Sequence, residues 1–182
     1  MSSINQFKAG YLDGGARTQK FRVKINNPVN PAADIEVPLL CHAASLPEYN
    51  VKSLDVAFQG RRIKVAGSKE YGDWSVKIYN DENFRLRNAF ERWMDFMNAN
   101  EGNVNQFSNS RITNYKSLAE VDQLSQTDQV LRTYKMVGIF PVRVDSIDLD
   151  WGDENIQSFG VTFAIDYFYV SGSVDGLYAG DR

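Results

Sequence analysis

The chain has 182 residues, of which 43% are hydrophobic and 24% charged, with a formal net charge of −3. That length suits one well-buried domain, expected to span 1–182, and is short for two; a net acidic balance argues against a generic nucleic-acid binder, which carries a basic patch. One cysteine excludes an internal disulfide, no Cys/His spacing resembles a zinc site, and no apolar run approaches the ~18 residues of a membrane helix, so a soluble, unsecreted product is expected.

Residues 1–19 are polar and glycine-punctuated and read as an N-terminal arm. Lys20–Asn26 alternates Phe21, Val23 and Ile25 with basic residues, the pattern of a half-buried strand. Asn27-Pro28 and Asn30-Pro31 break it. Ile35–Ala43 is a second strand candidate, with Pro38 placing it at an edge or bulge. Ser45-Leu46-Pro47 leads to a third strand at Leu54–Phe58, and the turn Gln59-Gly60 returns the chain through Arg61–Ala66 as a hairpin partner. Gly67 and Gly72 bracket a polar loop, and Asp73–Tyr79 puts Trp74, Val76 and Ile78 on one face.

The strongest periodicity follows. Leu86, Phe90, Trp93 and Met97 recur at helical spacing, with Asn88, Glu91, Arg92 and Asp95 opposite. Asn80 or Asp81 is placed to cap this helix, which should end near Asn98–Asn100. Residues 100–117 have no period and form a long polar loop, a length usually tied to function or to ordering against a partner. Strands resume at Leu118–Leu124 and Val130–Val137, then after a Gly-Ile-Phe-Pro link at Val144–Trp151, and finally at Gln157–Tyr169; a flexible Gly/Ser tail covers 171–182. About eight or nine strands and one long helix indicate a mainly β (α+β) fold: two packed antiparallel sheets forming a β-sandwich or partly closed barrel with one flanking α-helix.

No set of converging polar residues suited to catalysis stands out in the sequence. Cys41 and His42 are adjacent on an expected strand, so their side chains would diverge instead of pairing. Asp148, Asp150, Asp153 and Glu154 cluster without the calcium-loop spacing, and are read as a solvated strand end. Arg61, Arg62, Lys64 and Lys69 form a small basic run, suited to a neighbour's carboxylates, to phosphates, or simply to solvent. No catalytic residue, metal ligand or cofactor is assigned.

Several segments, in order, carry a family resemblance: Ala44-Ser45-Leu46-Pro47, Phe58–Gly67, Trp74–Asp81, Phe90–Met94, Val130–Tyr134, Gly138–Pro141, Leu149-Asp150-Trp151, and Phe159–Phe163 with Asp166-Tyr167. The chain resembles the tail tube proteins of contractile-tailed (myovirus-type) bacteriophages. The resemblance implies the tail tube fold and no enzymatic activity. It implies homohexameric rings in which each subunit lends four strands to an inner barrel, stacked into a conduit for viral DNA inside a contractile sheath. Implied partners are further copies of the chain, the tail sheath protein, and baseplate and tail terminator proteins, with DNA passing unread and no membrane. The protein would belong to the virion tail and assemble in the host cytoplasm. The inner tube of a type VI secretion-like or phage-derived contractile injection system is the alternative; a small-ligand β-barrel is a third reading, from another class.

Contacts between subunits or rings are expected at Gln59, Gly60, Arg61 and Arg62 in the hairpin turn and at Phe107 and Arg111 in the long loop. Leu54–Phe58, Arg61–Ala66, Leu118–Leu124 and Val130–Val137 are the candidate lumen strands. Asp55, Glu120 and Asp122 are then candidate lumen carboxylates, or else ordinary solvent-facing strand residues.

Overall fold

A computed structural model describes residue 4 and residues 16–98, 114–152 and 154–171. Phe107 and Arg111, with most of the expected N-terminal arm, long loop and C-terminal tail, lie outside the described residues. Nine strands and two helices of defined extent follow in the order β1 (Phe21–Ile25), α1 (Ala32–Leu40), β2 (Cys41–Ala44), β3 (Tyr49–Phe58), β4 (Arg61–Tyr71), β5 (Trp74–Tyr79), α2 (Arg85–Met97), β6 (Ser117–Leu124), β7 (Val130–Val144), β8 (Ser158–Ala164) and β9 (Tyr167–Ser171).

Seven strands form one antiparallel path, β1-β6-β7-β8-β5-β2, with β9 also on β7; among the described residues β3 and β4 pair only with each other. The path folds into two layers because β7 belongs to both. Its first half pairs with β6 and β9, and its second half, from Phe140 to Val144, pairs with β8. The bend falls at Gly138, whose φ of +72° is open to glycine and strained for other residues. A Cβ at that position would overlap the Asp166 carboxylate, which Lys116 holds at 2.6 and 2.7 Å. The arrangement is a partly closed sandwich.

Between the layers lies the core. Val23, Ile25, Ala119, Val121, Met136 and Ile139 come from one layer, and Trp74, Val76, Ile78, Phe159, Val161 and Phe163 from the other. Helix α2 closes it with Leu86, Ala89, Phe90 and Trp93. Phe163 is the hub: its ring centroid lies 5.4 Å from that of Trp74, 5.8 Å from Phe90 and 6.2 Å from Trp93. Both buried indoles keep an acceptor, Trp74 Nε1 donating to Ser45 O and Trp93 Nε1 to Tyr115 O, as burial of a polar atom requires.

Five sequence expectations are corrected. The segment expected as strand Ile35–Ala43 is helix up to Leu40. Its Ile35, Val37 and Leu39 mimic period-2 alternation, but only Val37 is buried, and Asp34 in the first turn accepts the Asn27 backbone N–H at 2.7 Å. The helix predicted to start at a cap on Asn80 or Asp81 starts at Arg85 after Phe84 in the left-handed region; Asp81 Oδ1 still accepts the Arg85 N–H at 2.9 Å. The polar loop expected between Gly67 and Gly72 is instead the far half of β4, held by pairing with β3. The strand expected at Val144–Trp151 is absent, because β7 runs through Gly138 and Pro141 and ends at Val144. Finally, the strand expected over Gln157–Tyr169 is split at Ile165-Asp166 into β8 and β9, which lie on different halves of β7.

Candidate assembly interface

The β3–β4 hairpin has no partner strand and no covering helix among the described residues, and nearly every residue in it is exposed. Its turn is built from Gln59 (φ 45°) and Gly60 (φ 79°), the two positive φ values of a two-residue type I′ loop. The turn sets the register, Val56 facing Ile63 and Leu54 facing Val65. Alternation then sorts the side chains. Leu54, Val56, Phe58, Ile63 and Val65 share one face, and Asp55, Ala57, Arg62 and Lys64 share the other, with Asp55 opposite Lys64. The five apolar side chains remain 47–61% exposed.

At its base the hairpin is seated. Tyr49 and Tyr71 close on Phe168 of β9, with centroids at 5.7 and 5.6 Å, and Lys69 Nζ stands 4.0 Å above the Tyr49 ring. Lys52 and Glu70 form an ion pair across the strands. From that seat nine residue steps of ~3.3 Å carry the tip ~30 Å along the hairpin. The aromatic seat is a feature that residue-by-residue reading missed; the available signal was a tyrosine at each end of the pair, Tyr49 and Tyr71, facing each other in register.

The second candidate surface is the outer face of β1, β6 and β7. Here the sequence-predicted Glu120 and Asp122 do come together. Lys24 Nζ lies 3.2 Å from Asp122 Oδ2 and 3.6 Å from Glu120 Oε2, and Lys135 Nζ lies 3.1 Å from Glu120 Oε1. Thr133 Oγ1 donates to Asp122 Oδ1 at 2.7 Å, and Asp122 is buried under these neighbours. The hydrogen bond and charge of Glu120 raise the Lys135 pKa above its ordinary value. Asp55 is not part of the group; it sits on the separate hairpin. Gln59, Gly60, Arg61 and Arg62 are together at the hairpin tip.

Cys41 and His42 form no catalytic pair. Cys41 Sγ donates to Ala43 O, and burial pushes its pKa up to about 11, while the His42 ring stacks on Tyr79 at 4.1 Å. No group of three or more potential metal ligands occurs among the described residues, and no helix among them is long and apolar enough to cross a membrane.

Comparison with known proteins places this architecture. The family described as phage tail tube protein matches residues 15–171. The tail tube protein gp19 of Enterobacteria phage T4 is 33% identical over 130 residues, covering 70% of this chain and 78% of the relative. A tail tube protein of Serratia phage KSP90 is 23% identical over 155 residues, covering 82% and 86%. Among solved structures, a chain of the sheath–tube complex of an extracellular contractile injection system in its extended state superposes with a TM-score of 0.61 at 13% identity, covering 95% of this chain and all of the other. A chain of the anti-feeding prophage baseplate gives 0.64 at 15% identity, covering 87% and 96%; these two likenesses establish the fold. The chain belongs to the phage tail tube protein family and is a structural tail tube subunit of the myovirus type.

Proposed function

We propose that the chain works as a homohexameric ring, stacked ring on ring into the conduit through which viral DNA leaves the capsid, inside a contractile sheath. The observation that carries this reading is the hairpin. An isolated two-stranded hairpin is marginal in water, and this one displays an apolar face and two open strand edges. Moving five half-exposed side chains out of water contributes roughly 5 kcal/mol. Pairing the edges between copies also removes the aggregation hazard of an open edge.

In this arrangement the two hairpins β3–β4 and β6–β7 supply four strands per subunit to one inner barrel. A ring of ~24 strands spaced ~4.8 Å and tilted ~40° has a backbone diameter of ~45–50 Å, which leaves room for a duplex ~20 Å wide once side chains are subtracted. Asp55 would line the lumen, as would the wall face that carries Glu120 and the buried Asp122. Because Lys24 and Lys135 neutralise the latter two, the wall offers DNA no dense positive track to bind, and the duplex is neither read nor held. The whole chain, 1–182, acts as one tail tube domain. Its other partners are the tail sheath, baseplate and terminator proteins, its assembly takes place in the host cytoplasm, and it performs no catalysis.

Negative-stain microscopy of the purified protein at high concentration, with and without preformed tube ends as nuclei, tests this. Rings or tubes with a wall of the stated diameter are expected. Dispersed monomers under every condition would overturn it.

A further inference from the structure

Between β7 and β8 the chain makes an excursion that the tube reading leaves unused. Trp151 is fully exposed at 107% of its reference area, and Leu149 and Ile156 beside it are also largely exposed. Asp148, Asp150 and Glu154 surround them in the sequence. The turn is shaped locally, Asp150 Oδ1 accepting the Gly152 N–H at 2.9 Å, which projects the indole away from the body. A large aromatic side chain flanked by carboxylates has the composition of an interface anchor that takes a cation and an apolar neighbour.

The complementary surface is on the same polypeptide. At the hairpin tip Phe58 is exposed, Arg61 and Arg62 follow the turn, and none of the ion pairs among the described residues uses either arginine. We propose that the Leu149–Ile156 excursion of one subunit is the docking site for the Phe58–Arg62 hairpin tip of another copy of this chain. Trp151 packs against Phe58 and the guanidinium of Arg61, the register partner of Phe58 on the same face, and Asp148, Asp150 and Glu154 bracket the tip, toward Arg61 on that face and Arg62 on the other. The occupant is a second copy because the charges match in sign and nearly in number, and because the tip, ~30 Å along the hairpin from its seat on Phe168, extends beyond the body that seats it. A tip-to-excursion contact is heterologous: different patches meet on each side, so it propagates as closed rings or as a stack, the two modes of growth a tube needs. The inference rests on the self-assembly reading above and names the pair of surfaces that it uses.

Reciprocal charge reversal tests it. In the full chain, Arg61→Glu with Arg62→Glu, and separately Asp148→Lys with Glu154→Lys, should each cut the fraction of protein in tubes at least tenfold, with unchanged circular dichroism and melting. All four substitutions together should restore tubes to at least half of the unsubstituted level. If either pair alone leaves tube yield unchanged, or if the fourfold variant folds and stays dispersed, the pairing is overturned while self-assembly stands; an unsubstituted protein that never assembles overturns both. A second measurement does not depend on how the reversed charges fold. With Cys41→Ser, a Gln59→Cys, Gly152→Cys chain should give disulfide-linked ladders on non-reducing gels after assembly and oxidation. Monomer only, from tubes that have formed, would sink the contact.

Discussion

Strand β5 and the β3–β4 hairpin carry almost the same message in their residues. β5 alternates Trp74, Val76 and Ile78 with polar positions, and β3 alternates Leu54, Val56 and Phe58 in the same way. The first set is fully buried and the second is about half exposed. What differs is the company. β5 lies between β2 and β8 beneath the aromatic face of α2, whereas the hairpin is tied to the body at its base, through Tyr49, Tyr71 and Phe168. Period-2 alternation therefore states that a face will be covered without stating by which molecule. In the sandwich the cover is intramolecular; for the hairpin none occurs among the described residues, and in the proposed assembly another copy supplies it.

The contrast can be broken at its strongest point first. Phe163→Ala removes the ring that touches Trp74, Phe90 and Trp93 and should cost about 3–5 kcal/mol in chemical denaturation of the monomer, with assembly failing as a consequence of unfolding. Gly138→Ala comes next. It places a side chain at φ +72° and against Asp166, and should cost about 1–3 kcal/mol, read as a lower denaturation midpoint with an unchanged slope. The smallest effect on the monomer should come from the hairpin. Leu54→Ser, Val56→Ser and Ile63→Ser together should move the unfolding free energy by less than about 1 kcal/mol, as exposed substitutions do, while abolishing rings and tubes in the microscope. If the triple variant instead lost stability on the scale of Phe163→Ala, the face would be covered within the monomer and the contrast would fail.

Much of this architecture was legible in the residues. The heptad-like run from Leu86 to Met97 marked the helix, and its Leu86, Phe90 and Trp93 are buried as the spacing required. Gln59-Gly60 marked the hairpin turn, and the ordered family segments identified the fold. The misreadings share a physical cause. Where a strand changes partners, glycine and proline are needed for the bend, so Gly138-Ile139-Phe140-Pro141 resembled a link between elements although β7 is continuous through it. Conversely, the run from Phe159 to Tyr167 alternates without interruption yet is cut at Asp166, whose carboxylate is engaged by Lys116 and packs against Gly138. In Ile35–Ala43 the apolar positions Ile35, Val37 and Leu39 alternate as in a strand and Pro38 reads as an edge or bulge, yet the segment is helical up to Leu40. The candidate assembly residues were legible as a turn with adjacent arginines, while the Tyr49–Tyr71–Phe168 seat depends on β9, far away in the chain, and local pattern carries no information about it.

The fifteen residues of β7 have a consequence for cooperativity. Their hydrogen bonds are divided between the layer that includes the candidate wall strands and the layer capped by α2. Neither layer can melt alone without stripping half of β7 of its partners and exposing the shared core, whose apolar side chains come from both layers. The two halves of the sandwich therefore open as one unit, and a subunit under tension in a stressed tail would hold or fail as a whole.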